Sequence, residues 1–257
     1  MSDTFALTQS NSQVSAGPIP VTNQEERELR RVFDRLCDYC DRMNYAEEVT
    51  KLLGGARLLR GGGRTKDAEE QEAKAEQIKA ELELLEHKKD RKISCADVFE
   101  MMKTLKYKIT KKEVEEYVWE VDEDLDQCIS WNEMKLMYTR NLMDKTGLEP
   151  NRIFNLTQFL IYDKNENNKV SVDETMNMLY ARYGRAKMEM KLKELFGENM
   201  LETGRQGGEI SFSQFIHAVD KVQLETFWKT TKGRIISQTT SGRKSLETLV
   251  ATVSTPL

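Results

Sequence analysis

Apolar residues recur at three- and four-residue steps soon after the polar N-terminal stretch. Leu29, Val32, Phe33, Leu36, Cys40 and Met43 stand among charges, a period that predicts an amphipathic helix. Gly54 and Gly55, then Gly61, Gly62 and Gly63, interrupt it, so the basic stretch GGARLLRGGGR reads as a mobile loop. A second helix is predicted from Thr65 to Glu86. Its first half, KDAEEQEAKAEQ, is entirely charge, amide and alanine, which places it in water as a projecting helix. Further on, four segments repeat a β-branched residue followed by serine: KISCADVF, CISWNEMK, KVSVDETM and EISFSQFI. Their apolar members are Ile93, Ile129, Val170 and Ile210. Each follows a polar run and precedes an apolar helical one. With each at the eighth place of a twelve-residue loop, the loops are 86–97, 122–133, 163–174 and 203–214, starting 36, 41 and 40 residues apart.

Two of these loops carry chemistry. DEDLDQCISWNE places acids at alternate positions and ends in glutamate, matching D-x-[DN]-x-[DN]-G-x5-E except at Gln127. A hard cation takes six to eight oxygens, and short side chains at alternate places suit a chain that wraps round it. The ligands expected are Asp122, Asp124, Asp126, the Cys128 carbonyl, Ser130 and Glu133. The sixth residue needs a left-handed backbone, which costs a non-glycine residue roughly 1–2 kcal/mol. DKNENNKVSVDE repeats the arrangement with Asp163, Asn165, Asn167, the Lys169 carbonyl, Ser171 and Glu174. Asn168 stands at its turn and tolerates that conformation. The other two loops lack ligands. Lys88 puts an ammonium where a carboxylate belongs, Asp97 is one methylene short, and the fourth loop holds Thr203, Arg205 and Gln214.

Across residues 76–220 this pattern resembles the EF-hand superfamily of the calmodulin and troponin C type. MMKTLKYKITKKEVEEYVWEVDED is similar to the segment joining the first two hands of calmodulin, and Thr110 with Glu113 forms a capping box. The resemblance implies an all-α fold of two EF-hand pairs, or lobes, preceded by N-terminal helices. Short two-stranded β contacts would join paired loops, each buried eighth residue plugging the shared core. It further implies two Ca²⁺ sites, with Mg²⁺ in the same loops at rest, and exiting helices that rotate to bare apolar surface. The divisions expected are a flexible arm 1–23, a helix and Gly-rich loop 24–64, EF-hand pairs at 65–143 and 144–220, and a basic Ser/Thr-rich tail 221–257. Insertions are expected near 144–150 and 197–206.

Composition narrows the use. The 257 residues are 39% hydrophobic and 32% charged with net charge −4, which supports a folded core and argues against a general nucleic-acid binder. No run of about 18 apolar residues predicts a membrane span. MSDTFALTQSNSQVSAGPIPVTNQ shows neither the basic start and apolar block of a secretory leader nor a glycine after Met1 for myristoylation. Cys37 and Cys40 form a single C-x2-C with only two histidines in the chain, so small residues on a helix face outweigh a zinc or redox role, and the cytoplasm is the expected compartment. No nucleophile has a positioned base, so no enzymatic activity is expected. Twelve methionines divide between core filling and an adaptable groove for a helical partner. Trp131 is expected to be exposed or partner-facing, and Phe227 with Trp228 to anchor or contact.

The function implied is a calcium-binding adaptor or sensor docked by protein contacts in a larger assembly. TRNLMDKTGLEP resembles stretches in EF-hand proteins of motile cilia and flagella, which suggests an axonemal setting with tubulin or other axonemal proteins as partners. Two alternatives stand beside it: a constitutive structural component without regulatory calcium, and the regulatory subunit of a phosphatase or kinase.

Overall fold

Thr22 opens the first helix by accepting the Glu25 N–H on its hydroxyl, while the Glu25 carboxylate accepts the Thr22 N–H. The same reciprocal cap recurs at Ser94 and Asp97, Thr110 and Glu113, Ser130 and Glu133, and Ser171 and Glu174. Each satisfies donors that a helix start leaves unpaired. The computed structural model describes residues 21–86, 88, 90–144, 148–197 and 208–224. Residues 1–20 of the expected arm, residues 225–257 of the expected tail with Phe227 and Trp228, and most of the expected insertions lie outside the described residues. Thr22 and Asn23, by contrast, cap and begin the first helix, and 221–224 are helical rather than tail.

In chain order the elements are α1 (Asn23–Leu36), α2 (Tyr39–Gly61), α3 (Thr65–Glu86), β1 (Ile93–Ser94), α4 (Cys95–Thr104) and α5 (Lys111–Trp119). There follow β2 (Cys128–Ile129), α6 (Trp131–Met143), α7 (Arg152–Tyr162), β3 (Lys169–Val170), α8 (Val172–Phe196) and β4 (Ile210–Ser211), with residues 212–224 forming α9. The fold is all-α, with strands only two residues long.

Helix α1 buries Leu29, Val32, Phe33 and Leu36 on one face, against α4, α6 and α7. Burying such side chains contributes about 1.5–3 kcal/mol each at most. Polar contacts fasten the helix to both halves of the chain. Glu25 pairs with Arg182 of α8, both nearly buried, and Lys135 of α6 reaches Glu26. Asp38, at φ 54°, breaks the chain away from α1 into α2. Arg42 and Arg91 both donate to the Asp34 and Cys37 carbonyls, and Arg42 also to that of Arg35. These cations satisfy the unpaired carbonyl end of α1 and oppose its dipole.

Where the sequence predicts a mobile loop, α2 continues as helix through Gly54 and Gly55 to Gly61. The helix packs along α3 as a hairpin. A Cβ at Gly55 would lie 2.5 Å from Oε1 of Gln71 on α3, so a larger residue there would have to displace that side chain, whereas Gly54 faces open space. Only the turn after Gly61 breaks the helix, with Gly63 at φ 78°. The charged first half of α3 is not wholly solvated either: Ala68 and Ala75, two turns apart, are buried, as is Ala56 on α2. At its other end the hairpin is held to α4 by Tyr39 Oη donating to Thr104 Oγ1 at 3.1 Å.

The four eighth-place residues are all buried and pair as two antiparallel couples, Ile93 with Ile129 and Val170 with Ile210. Helix α8 serves two hands: Gly184, at φ 70°, kinks it, so its first half leaves the third loop and its second half enters the fourth. Residues 203–207 of that fourth loop lie outside the described residues. The two pairs share one continuous core. Tyr107, between α4 and α5, packs edge-on at 5.1 Å against Phe212 of α9, which in turn meets Phe159 of α7 at 5.2 Å. Met101, Met102, Met134, Met137 and Met178 fill the interior, whereas Met143 and Met176 are exposed. Trp131 is not exposed as the sequence suggested. It is half-buried, edge-on to Phe33 at 5.5 Å with the Arg30 guanidinium 5.0 Å from its ring, so its partner is the protein's own α1.

Candidate metal centre

In the second loop the chain turns tightly after α5. Leu125 and Gln127 have φ of 59° and 65°, so Gln127 takes the left-handed conformation its position demands. Asp122 is buried and accepts the Asp126 N–H on Oδ1 (3.2 Å) and the Gln127 N–H on Oδ2 (2.8 Å). Asp124 Oδ1 also accepts the Asp126 N–H, and Asp126 Oδ1 accepts the Cys128 N–H at 2.9 Å. These bonds aim the side chains inward. Carboxylate oxygens of Asp122, Asp124 and Asp126 lie within 4.8 Å of one another. From α6, Glu133 reaches back across the loop, with Oε1 accepting from Glu123 N at 2.8 Å and Oε2 from Ser130 N at 2.8 Å. Burial pushes its carboxyl upward, but hydrogen bonds from Ser130, Glu123 and Asp124 outweigh it and leave the group below its usual value. Cys128 lies in β2 and Ser130 caps α6, so both expected contributors flank the cluster.

The third loop repeats this backbone. Glu166 and Asn168 have φ of 58° and 64°, and Asp163 Oδ2 accepts the Asn168 N–H at 3.2 Å. Asn165 Oδ1 accepts from Asn167 N at 3.0 Å, and Asn167 Oδ1 from Lys169 N at 2.8 Å. Glu174 Oε2 accepts from Ser171 N and Oγ at the start of α8, and Oε1 faces Asn165 N at 3.5 Å. Lys169 lies in β3, where its ammonium pairs with Glu209 at 2.9 Å. Asp163 is fully buried. Its Oδ1, like Oδ1 of Asn168, is buried without a hydrogen-bond partner. Burial raises its carboxyl above the ordinary value, with Arg35 and the loop N–H groups opposing.

Two cations at these loops escape a motif search. Lys92, from the first loop, touches Asp124 and Asp126, and the bond to Asp126 raises the Lys92 ammonium and lowers that carboxyl. Arg35 of α1 lies with Nη1 3.4 Å from Asp163 Oδ2. Lys92 is traceable to sequence, since it precedes Ile93 and antiparallel pairing carries it toward the second loop. Arg35 is not, because only the docking of α1 brings it there. The ligand-poor first loop has other work. Asp97 Oδ1 accepts the Cys40 N–H at 2.8 Å and Oδ2 the Ser94 N–H at 2.9 Å, tying α4 to the start of α2. Arg91 pairs with Asp38 at 2.9 Å. Burial pushes the Cys37 thiol up to about 12 and raises that of Cys40.

Residues 75–139 match the family model of an EF-hand domain pair. The chain carries an EF-hand pair. No curated protein matches the chain at a significant level. The matched stretch takes in the first two loops, and the second half of the fold repeats their helix–loop–helix and strand-pair plan without being part of the match. EF-hands are calcium-binding modules, so calcium is the cofactor implied. The residues fit it: three converging carboxylates in the second loop, and an idle buried carboxylate oxygen at the head of the third, are oxygen donors of the kind a hard cation takes. Asp122, Asp124, Asp126 and Glu133 would hold it in one loop, and Asp163, Asn165, Asn167 and Glu174 in the other. Among the described residues no helix is long and apolar enough to cross a membrane.

Gln127→Gly removes the strain of a side chain at φ 65°. The variant is expected to tighten the second loop by up to about tenfold, the equivalent of about 1.4 kcal/mol. Calcium titration followed by Trp131 fluorescence checks this.

Proposed function

We propose that this EF-hand protein is a calcium-responsive binding protein with two metal loops, 122–133 and 163–174, braced by two hands that have lost their ligands. The observation that carries the reading is the convergence of the Asp122, Asp124 and Asp126 oxygens within 4.8 Å on a backbone that the third loop repeats. Calcium supplies a double positive charge that such oxygens neutralise together. Glu133 and Glu174 sit in the first turns of α6 and α8, so engagement of these side chains acts directly on the helices leaving each loop. The use proposed is docking to protein partners, helical segments among them, with no catalytic role. TRNLMDKTGLEP supports a cytoplasmic setting at the axoneme of a cilium or flagellum, with tubulin or another axonemal protein as a partner.

A second reading, a constitutive structural component, draws support from Lys92 and Arg35, which already neutralise part of both loops. Calorimetric titration of the full chain with calcium chloride separates the two. Two equivalents are expected, and no heat between micromolar and millimolar metal would leave only the structural role.

A further inference from the structure

We infer that helix α1 is a built-in antagonist of the third loop: the Arg35 guanidinium competes with divalent metal for the Asp163 carboxylate, and metal held there loosens the last turn of α1. The inference rests on the reading of 163–174 as a metal loop.

Arg35 is not an ordinary surface arginine. Its side chain is 10% exposed and that of its partner Asp163 is 0% exposed. Its Nε also lies 3.8 Å from Glu166 Oε1. One turn earlier, Arg31 approaches the same Glu166 oxygen at 3.9 Å and donates to the Leu160 and Ile161 carbonyls, at 2.9 and 3.2 Å. Two arginines on one face of α1 therefore clamp the end of α7 and the loop that follows. Charges so close, and so far out of water, interact strongly. Asp163 Oδ2 is taken by Arg35 and the Asn168 N–H, whereas Oδ1 is buried and idle. One carboxylate thus faces a resident cation and keeps a place for another, and the two cations repel.

Lys92 at the second loop is a weaker obstacle. It touches the exposed carboxylates Asp124 and Asp126, and its own side chain is 35% exposed, so it can swing into water. A cleft of about 560 Å³ opens beside Arg35, lined by Arg31, Arg42, Arg91 and Glu166 among others. Full release of α1 is not expected, because Leu29, Val32, Phe33 and Leu36 remain buried along its length. Movement falls on the turn next to the break at Asp38. Coupling between two binding events is reciprocal, so whatever Arg35 takes from metal affinity, metal takes from the seating of that turn.

The test uses the full chain carrying Glu133→Gln, so that only the third loop titrates, with and without Arg35→Gln. Calorimetry with calcium chloride is expected to show about tenfold tighter binding with Arg35→Gln, within the usual span of such couplings. Hydrogen exchange at residues 33–37 is expected to speed up with calcium while Arg35 is present, a readout that needs no substitution in α1. Equal affinities, or exchange indifferent to calcium, would overturn the coupling and leave the metal loop standing. Absence of binding in both proteins would overturn the metal loop itself, and the inference with it.

Discussion

Glu133→Gln and Glu174→Gln are each expected to remove one metal equivalent from the calcium titration while the chain stays folded. A terminal glutamate offers two oxygens and a full charge, and the amide keeps one oxygen and no charge. The affinity of the affected loop should fall by on the order of a hundredfold or more. Folding survives for a local reason. Both glutamates sit at the third position of a capping box, where their carboxylates accept the N–H of Ser130 and Ser171. Glutamine fills that role too. Far-ultraviolet circular dichroism should therefore be unchanged while calorimetry loses one equivalent per substitution. Retention of both equivalents in the double variant would show that the metal sits elsewhere.

Phe33→Ala is expected to cost about 3–5 kcal/mol of stability, the range for emptying a buried aromatic site. Phe33 is 1% exposed, edge-on to Trp131, with Arg30 5.3 Å from its ring centroid. Its neighbours on α1 press against both halves of the chain, so the loss spreads beyond one helix. At about 2–4 °C per kcal/mol for a chain of this size, the thermal midpoint should drop by roughly 6–20 °C. Leu58→Ala is the control: Leu58 lies 80% exposed on α2, and its removal should stay within about 0.5 kcal/mol. A midpoint that moves equally for both would show that α1 is not part of the stabilising core.

Legibility from sequence followed the range of the interactions. Ile93, Ile129, Val170 and Ile210 were readable because a β-branched residue before a capping serine is a local signal that repeats, and their pairing came out in the expected couples. The left-handed turns at Gln127 and Asn168 were readable for the same reason. Gly54 and Gly55 misled. A glycine pair suggests a break when propensity is weighed alone, whereas the packing of α2 along α3 keeps the helix going through it. Trp131 misled because the helix that covers it lies a hundred residues upstream. Arg35 belongs to the same class: in sequence it is one basic residue on a charged helix, and only tertiary docking sets it against Asp163.

The α2–α3 hairpin has a mechanical consequence. Its base is stitched to the first hand by Tyr39 and Thr104 and by Asp97 and Cys40, and that hand shares a strand ladder with the second loop. Helices of 23 and 22 residues extend about 33 Å, so a tilt of about 5° at the base sweeps the tip through about 3 Å. The hairpin is a boom: displacements too small to unseat the ladder become large at its outer turn, where Gly61, Gly62 and Arg64 meet the surroundings.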